Sequence, residues 1–176
     1  MNSSQWSRSV SSVCLRLHVP GVLSLVAAGA IALAFSCRFG IVLPQQPAEI
    51  ECLNARAFLI DRWDRDVKPG ALVAFRLDAD NAVFKKGTGL IKLVAAVEGQ
   101  HYVVNESGVV ADDWSVQVDS AGVIKKFGLD PHSIYRSGTV EAGRFFAVGE
   151  RPTSYDSRYW GTAPAAGVVG RAYALF

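Results

Sequence analysis

The run "VPGVLSLVAAGAIALAF", Val19 to Phe35, contains no charged residue and is closed by Arg38. A stretch of this length is near the minimum for crossing the hydrocarbon core as a helix, roughly 17–25 residues at about 1.5 Å rise each. Nothing else in the chain limits the fold as strongly, because such a segment crosses a bilayer, is removed as an export signal, or lies in a core. The residues before it include Arg8 and Arg16 and no acid. Positive flanks stay on the cytoplasmic side, so everything after Arg38 is expected outside. Two rival readings exist. "ALA" at Ala32 to Ala34 offers a small-x-small cleavage site ahead of Phe35, and a core helix would be unusual without a charge over this length. The expected organisation is a cytoplasmic tail at 1–18, a transmembrane anchor at 19–37 and an extracytoplasmic domain at 38–176.

Beyond the anchor the pattern changes to that of strands. "ALVAFRL", "LIKLVAAV", "HYVVN", "WSVQV" and "RFFAVG" are short, rich in β-branched and aromatic residues, and partly alternating. Turn signals separate them: "KPG" at Lys68 to Gly70, "DADN" at Asp78 to Asn81, "NESG" at Asn105 to Gly108 and "DSAG" at Asp119 to Gly122. No stretch of helical period exceeds about a dozen residues, the length below which isolated helices are marginal. The fold class expected is mainly β: one antiparallel β domain on a single N-terminal transmembrane helix.

Composition excludes several functions. The net charge of the 176 residues is +2, and no basic stripe is interleaved with aromatics, so nucleic acid is not an expected partner. The histidines are His18, His101 and His132, and no HExxH, paired cysteines or carboxylate cluster is present. No metal and no cofactor are therefore expected. No serine stands in a recognisable nucleophile context, which leaves a nucleophile activated by lysine. Burial that strips water from an ammonium disfavours its charged form and makes lysine a usable base. "GLIKLVAAV" places Lys92 among apolar neighbours, the alternative being a lysine on the wet face of that strand. Lys85 and Lys86, beside Gly87, read as a solvated hairpin tip.

Four segments in order resemble the type I signal peptidases. "IKLVAAVEGQHYVVN" is similar to their lysine segment, with Lys92 in the lysine's place and only the glycine of the usual turn kept in Glu98-Gly99-Gln100. "GERPTSYDSRYWG" resembles their closing signature, although Arg151 and Pro152 stand where an Asn is expected. "VVGRA" at Val168 to Ala172 and "KPGALVAF" at Lys68 to Phe75 resemble two further segments. The single span and the "PG" wording look most like the conjugative-transfer, TraF-like branch, whose members process pilin precursors, some closing the pilin into a ring. The resemblance implies that Ser154 hydrogen-bonds the Lys92 amine and that Asp156 and Arg158 form a buried pair bracing the site. Pairing with Arg158 would also keep Asp156 from holding the lysine protonated. The bland alternative is a turn-stabilising ion pair.

The nucleophile departs from the family. The family's serine would fall upstream of "KPG", yet no serine lies between Cys37 and Glu106, and Cys52 in "EIECLNARAFLID" takes its place. A thiol is intrinsically more nucleophilic than a hydroxyl, and a thioester favours amines over water as acceptors. The expected dyad is Cys52 with Lys92. The alternatives for Cys52 are an inert buried thiol, a disulfide with Cys37, or a papain-like pairing with His132 oriented by Asp130. His101 reads as a strand-end surface residue, Trp160 as a core anchor beside the site, and Trp63 as an interfacial residue.

The resemblance thus implies a single-pass protein of the bacterial inner membrane with its catalytic domain in the periplasm. Its substrate would be a pilin precursor peptide, added as a strand beside Cys52, and the Cys52 backbone N–H would help hold the oxyanion. The apolar "FGIVLP", Phe39 to Pro44, is expected near the membrane surface. The competing class is a catalytically inactive relative serving as a component of a conjugative secretion apparatus.

Overall fold

The computed structural model describes residues 4–44, 52–112, 114–117 and 120–176, with side chains described from residue 21 onward. Glu49 to Glu51 of the cysteine segment, Val118 of "WSVQV" and Asp119 of "DSAG" lie outside the described residues, as do the side chains of Arg8 and Arg16. Two compact units result, Met1–Arg38 and Phe39–Phe176. The first is a helix, α1 (Ser4–Arg38). It starts well before the predicted anchor because no Gly or Pro between Ser4 and His18 interrupts it. Its Gly21–Arg38 segment has a mean hydropathy of 1.8 and is long and apolar enough to cross a membrane. Leu25, Ile31 and Leu33 are exposed along it, which sets aside the core-helix reading and leaves an anchor or an export signal.

The second unit is antiparallel β throughout its described ladders. The predicted segments become β3 (Leu72–Arg76), β4 (Gly89–Val97), β5 (His101–Asn105), β7 (Trp114–Gln117) and β9 (Arg144–Val148). The remaining strands are β1 (Phe39–Val42), β2 (Phe58–Asp61), β6 (Gly108–Ala111), β8 (Arg136–Thr139), β10 (Ala163–Pro164) and β11 (Val168–Ala174). A seven-stranded sheet has the order β1-β2-β11-β3-β4-β9-β10, and a four-stranded sheet the order β7-β6-β5-β8. The smaller sheet, with α2 (Ala121–Phe127) and α3 (Pro131–Ile134), is an excursion between β4 and β9, which are themselves hydrogen-bonded neighbours. "KPG" turns the chain into β3 with Gly70 at φ +78°, a conformation only glycine adopts without strain.

Alternation on β4 decides what reaches the core. Leu90, Lys92 and Val94 share one buried face, while Ile91 and Leu93 are only partly covered. Leu90 and Val94 pack with Val73, Phe75, Phe145, Ala147 and Val168, and the Phe75 and Phe145 rings meet edge to face at 5.1 Å. A register shift between Val94 and Ala96 then brings Ala95 and Ala96 into a second cluster with Tyr102, Val104, Ile124 and Phe146. A third cluster gathers Cys52, Leu53, Phe58, Ile60, Ala74 and Ala172.

Candidate active site

β4, β9 and the turn after β9 assemble the site. Lys92 is 0% exposed, and its Nζ donates to Ser154 Oγ at 2.8 Å. Ser154 is equally buried and is set in place by a turn in which its N–H donates to the Arg151 carbonyl at 3.0 Å. The β4–β9 ladder ends at the pair Leu93↔Val148, so Lys92 and Gly149 are the next residues on the two strands. A Cβ on Gly149 would overlap the Ser154 side chain and lie 2.7 Å from the Cys52 carbonyl oxygen. Glycine here is a requirement of space: it lets Ser154 and the Cys52 backbone close up beside Lys92.

Cys52 is buried, and its carbonyl accepts from the Glu150 N–H at 2.8 Å and the Arg151 N–H at 3.4 Å. Neither Cys37 nor Cys52 is in a disulfide. Cys52 lines a groove of about 740 Å³ whose floor includes Phe58, Ile60, Ala74, Leu90 and Ile91. Neither Lys92 nor Ser154 is among the residues that line it, and both are fully buried.

The "DSRYW" turn braces this arrangement from below. Asp156 and Arg158 are both 0% exposed, and Arg158 grips the carboxylate with Nε on Oδ1 at 2.8 Å and Nη2 on Oδ2 at 2.9 Å. The same Nη2 donates to the Ser154 carbonyl at 3.1 Å, and Nη1 to Ser120 Oγ at 3.4 Å. Asp156 caps α4 (Ser157–Trp160) by accepting the Arg158 N–H at 3.2 Å. Two bonds fasten the turn to β9: Gly149 N–H to Asp156 Oδ2 at 2.8 Å, and Ala147 N–H to Ser157 Oγ at 2.9 Å. Burial alone would raise the Asp156 carboxyl. The Arg158 charge and hydrogen bonds, a Lys92 ammonium and the Gly149 N–H together outweigh it and hold the carboxyl below its ordinary value.

The structure therefore brings Cys52, Lys92, Ser154, Asp156 and Arg158 into one neighbourhood. The other sequence candidates lie elsewhere. Lys85 is exposed and pairs with Asp80 at 3.1 Å, and His101 shares a surface hydrogen bond with Thr139 at 2.8 Å. His132 is exposed on α3, where Asp130 spends its Oδ1 on the His132 backbone N–H at 3.0 Å. Trp160 packs on the β3–β4 core cluster and Trp63 is exposed. Sequence reading assigned no role to Gly149, Ser157 or Ser120. Gly149 and Ser157 lie inside the "GERPTSYDSRYWG" signature and were findable there; Ser120 has no local signal. Among the described residues no group of three or more His, Cys, Asp or Glu could hold a metal.

The antiparallel β platform thus carries a fully buried lysine–serine pair, and Cys52 lines an apolar groove. Residues 19–176 match the model of the signal peptidase family, peptidase S26, and the chain belongs to that family. A signal peptidase I from Enterococcus faecalis V583, known from its crystal structure, is 20% identical over 64% of this chain and 99% of that chain, with a TM-score of 0.41. No curated protein matches.

Proposed function

We propose that this chain is a membrane-anchored protease or transpeptidase of the TraF-like branch that matures a conjugative pilin precursor through a Cys52–Lys92 dyad. The observation that carries the reading is the Lys92 Nζ held on Ser154 Oγ at 2.8 Å and fully buried, with Cys52 lining the groove. Cys52 Sγ attacks the scissile carbonyl carbon as its proton passes to the Lys92 amine, and the Cys52 backbone N–H helps hold the oxyanion. Collapse breaks the C–N bond, the lysine returns the proton to the departing amine, and a thioester remains. Water or a second amine then attacks that thioester, Lys92 takes the incoming proton, and the thiolate leaves and is reprotonated. Attack by the pilin's own amine closes a ring. Ser154 aims the Lys92 nitrogen, and the Asp156–Arg158 pair fixes the Ser154 backbone through its carbonyl. The domain acts on the periplasmic face of the inner membrane, with α1 as its anchor and "FGIVLP" near the bilayer.

Co-expression with the pilin precursor, followed by mass spectrometry of the product, tests the reading. Wild type yields a processed pilin, Cys52→Ala yields none, and Cys52→Ser keeps partial activity with more hydrolysed than joined product. Full processing by Cys52→Ala would remove the cysteine from the mechanism, and the Cys52–Lys92 dyad with it.

A further inference from the structure

The groove beside Cys52 has an unusual rim. Its floor is apolar, but Arg56, Arg62, Arg76 and Arg151 stand around it, and no Asp or Glu is among its described lining residues. These arginines come from four separate places in the fold: after Cys52, after β2, at the end of β3 and after β9. Two have their orientation set by neighbours: Arg76 Nη1 donates to the Gly87 carbonyl at 2.9 Å, and Arg151 Nε to Asn54 Oδ1 at 3.2 Å. Arg62 lies across β1, where a Cβ on Gly40 would come within 2.6 Å of its Nη2.

Several described acids near these arginines in sequence have partners of their own. Asp78 pairs with Arg144 at 3.0 Å, Asp64 with Arg171 at 3.5 Å, and Asp80 with Lys85 at 3.1 Å. Asp61 accepts the Trp63 N–H at 3.0 Å, and Glu150 the Asn54 N–H at 3.0 Å. A planar guanidinium offers paired donors that match a carboxylate.

Resting on the peptidase reading above, we infer that this groove selects peptides bearing a carboxylate within a few residues of the bond presented to Cys52. The carboxylate is an Asp or Glu side chain or a free chain end. The apolar floor takes small side chains, and the arginine rim reads the charge.

Synthetic fluorescent peptides sharing a central Ala-Leu-Ala, flanked by glutamates, glutamines or lysines, test this on the full-length protein in detergent. Each is made as a free acid and as a C-terminal amide. Binding is read by anisotropy on Cys52→Ala protein, and cleavage by mass spectrometry on wild type. Exposed charge pairs of this kind amount to about a two- to tenfold preference in total, so glutamate peptides bind tighter than glutamine ones by that factor, and lysine peptides bind weakest. Added salt screens the rim and brings the peptides toward parity. Arg62→Gln with Arg76→Gln flattens the preference, and Lys125→Gln, outside the groove, keeps it. A gap between free acid and amide in the glutamine-flanked pair assigns the effect to the chain end; a gap between glutamate and glutamine amides assigns it to side chains. Equal binding of all peptides on wild-type geometry overturns the inference, whatever the variants do. Charge-selective binding without cleavage leaves the inference standing and counts against the peptidase reading; cleavage without charge preference does the reverse.

Discussion

The Asp156–Arg158 pair gives the sharpest test of how the site is held. In Asp156→Asn the two side-chain oxygen positions become one oxygen and one amide. A single acceptor can still serve the helix cap or the Gly149 N–H, so the change isolates the charge more cleanly than Ala would. Arg158, 0% exposed, then loses the carboxylate that its Nε and Nη2 grip. Breaking one half of a buried pair costs about 3–5 kcal/mol, against a total of roughly 5–15 kcal/mol for a domain. At about 2–4 °C per kcal/mol for a chain of this size, the expected fall in Tm is roughly 6–20 °C, read by circular dichroism on the detergent-solubilised protein. Adding Arg158→Met removes the buried guanidinium that has lost the Asp156 carboxylate, and the double variant is expected to regain about 1 kcal/mol or more over Asp156→Asn alone. The pH profile carries a second signature. The folded carboxyl lies below its ordinary 3.8, so its stabilisation is complete above that value and is lost as pH falls through the folded value. Wild type should lose stability below about pH 4 more steeply than Asp156→Asn, which lacks this term. A loss under about 1 kcal/mol, or equal acid sensitivity of the two proteins, would refute the assignment of the pair as a buried brace.

Two further outcomes test the parts that meet at Lys92. Lys92→Arg should abolish precursor processing, because a guanidinium does not give up its proton, whereas Lys85→Gln and Lys86→Gln should process normally in the same co-expression assay; equal loss at all three positions would point to folding rather than catalysis. Gly149→Ala places a methyl group against Ser154 and 2.7 Å from the Cys52 carbonyl, an overpacking expected to cost about 1–3 kcal/mol by thermal melt. Processing should fall more than the melt accounts for, and an Ala variant that melts and processes like wild type would mean the contact is not tight.

Local pattern made much of this protein legible. The charge-free run marks the apolar helix wherever it is placed, because the cost of exposing such a segment to water does not depend on the rest of the fold. Period-two alternation and turn chemistry located β3, β4, β5, β7 and β9, all with dense β-branched or aromatic content. The strands that escaped notice are short or irregular: β6 and β8 have four residues each, and β11 carries Gly170 and Arg171 within its run. They are strands because neighbours pair with them, as β2 and β3 do on either side of β11.

The motifs likewise pointed to Lys92, Ser154, Asp156, Arg158 and Cys52, and the contacts among them were implied by the resemblance rather than by any property of the segments themselves. Alternation says that Lys92 shares a face with Leu90 and Val94, but not which face of β4 is covered; only the folded chain shows Lys92 at 0% exposure. Lys92 and Ser154 are 62 residues apart in the chain, and they meet because β4 and β9 pair across the whole inserted sheet. The arginine rim shows the same division. Arg56, Arg62, Arg76 and Arg151 are scattered in sequence with no common spacing, and only the folded sheet places them around one groove. Residue chemistry and short-range periodicity are properties of a segment; proximity between distant segments is set by strand register and burial, which exist only once the chain has folded.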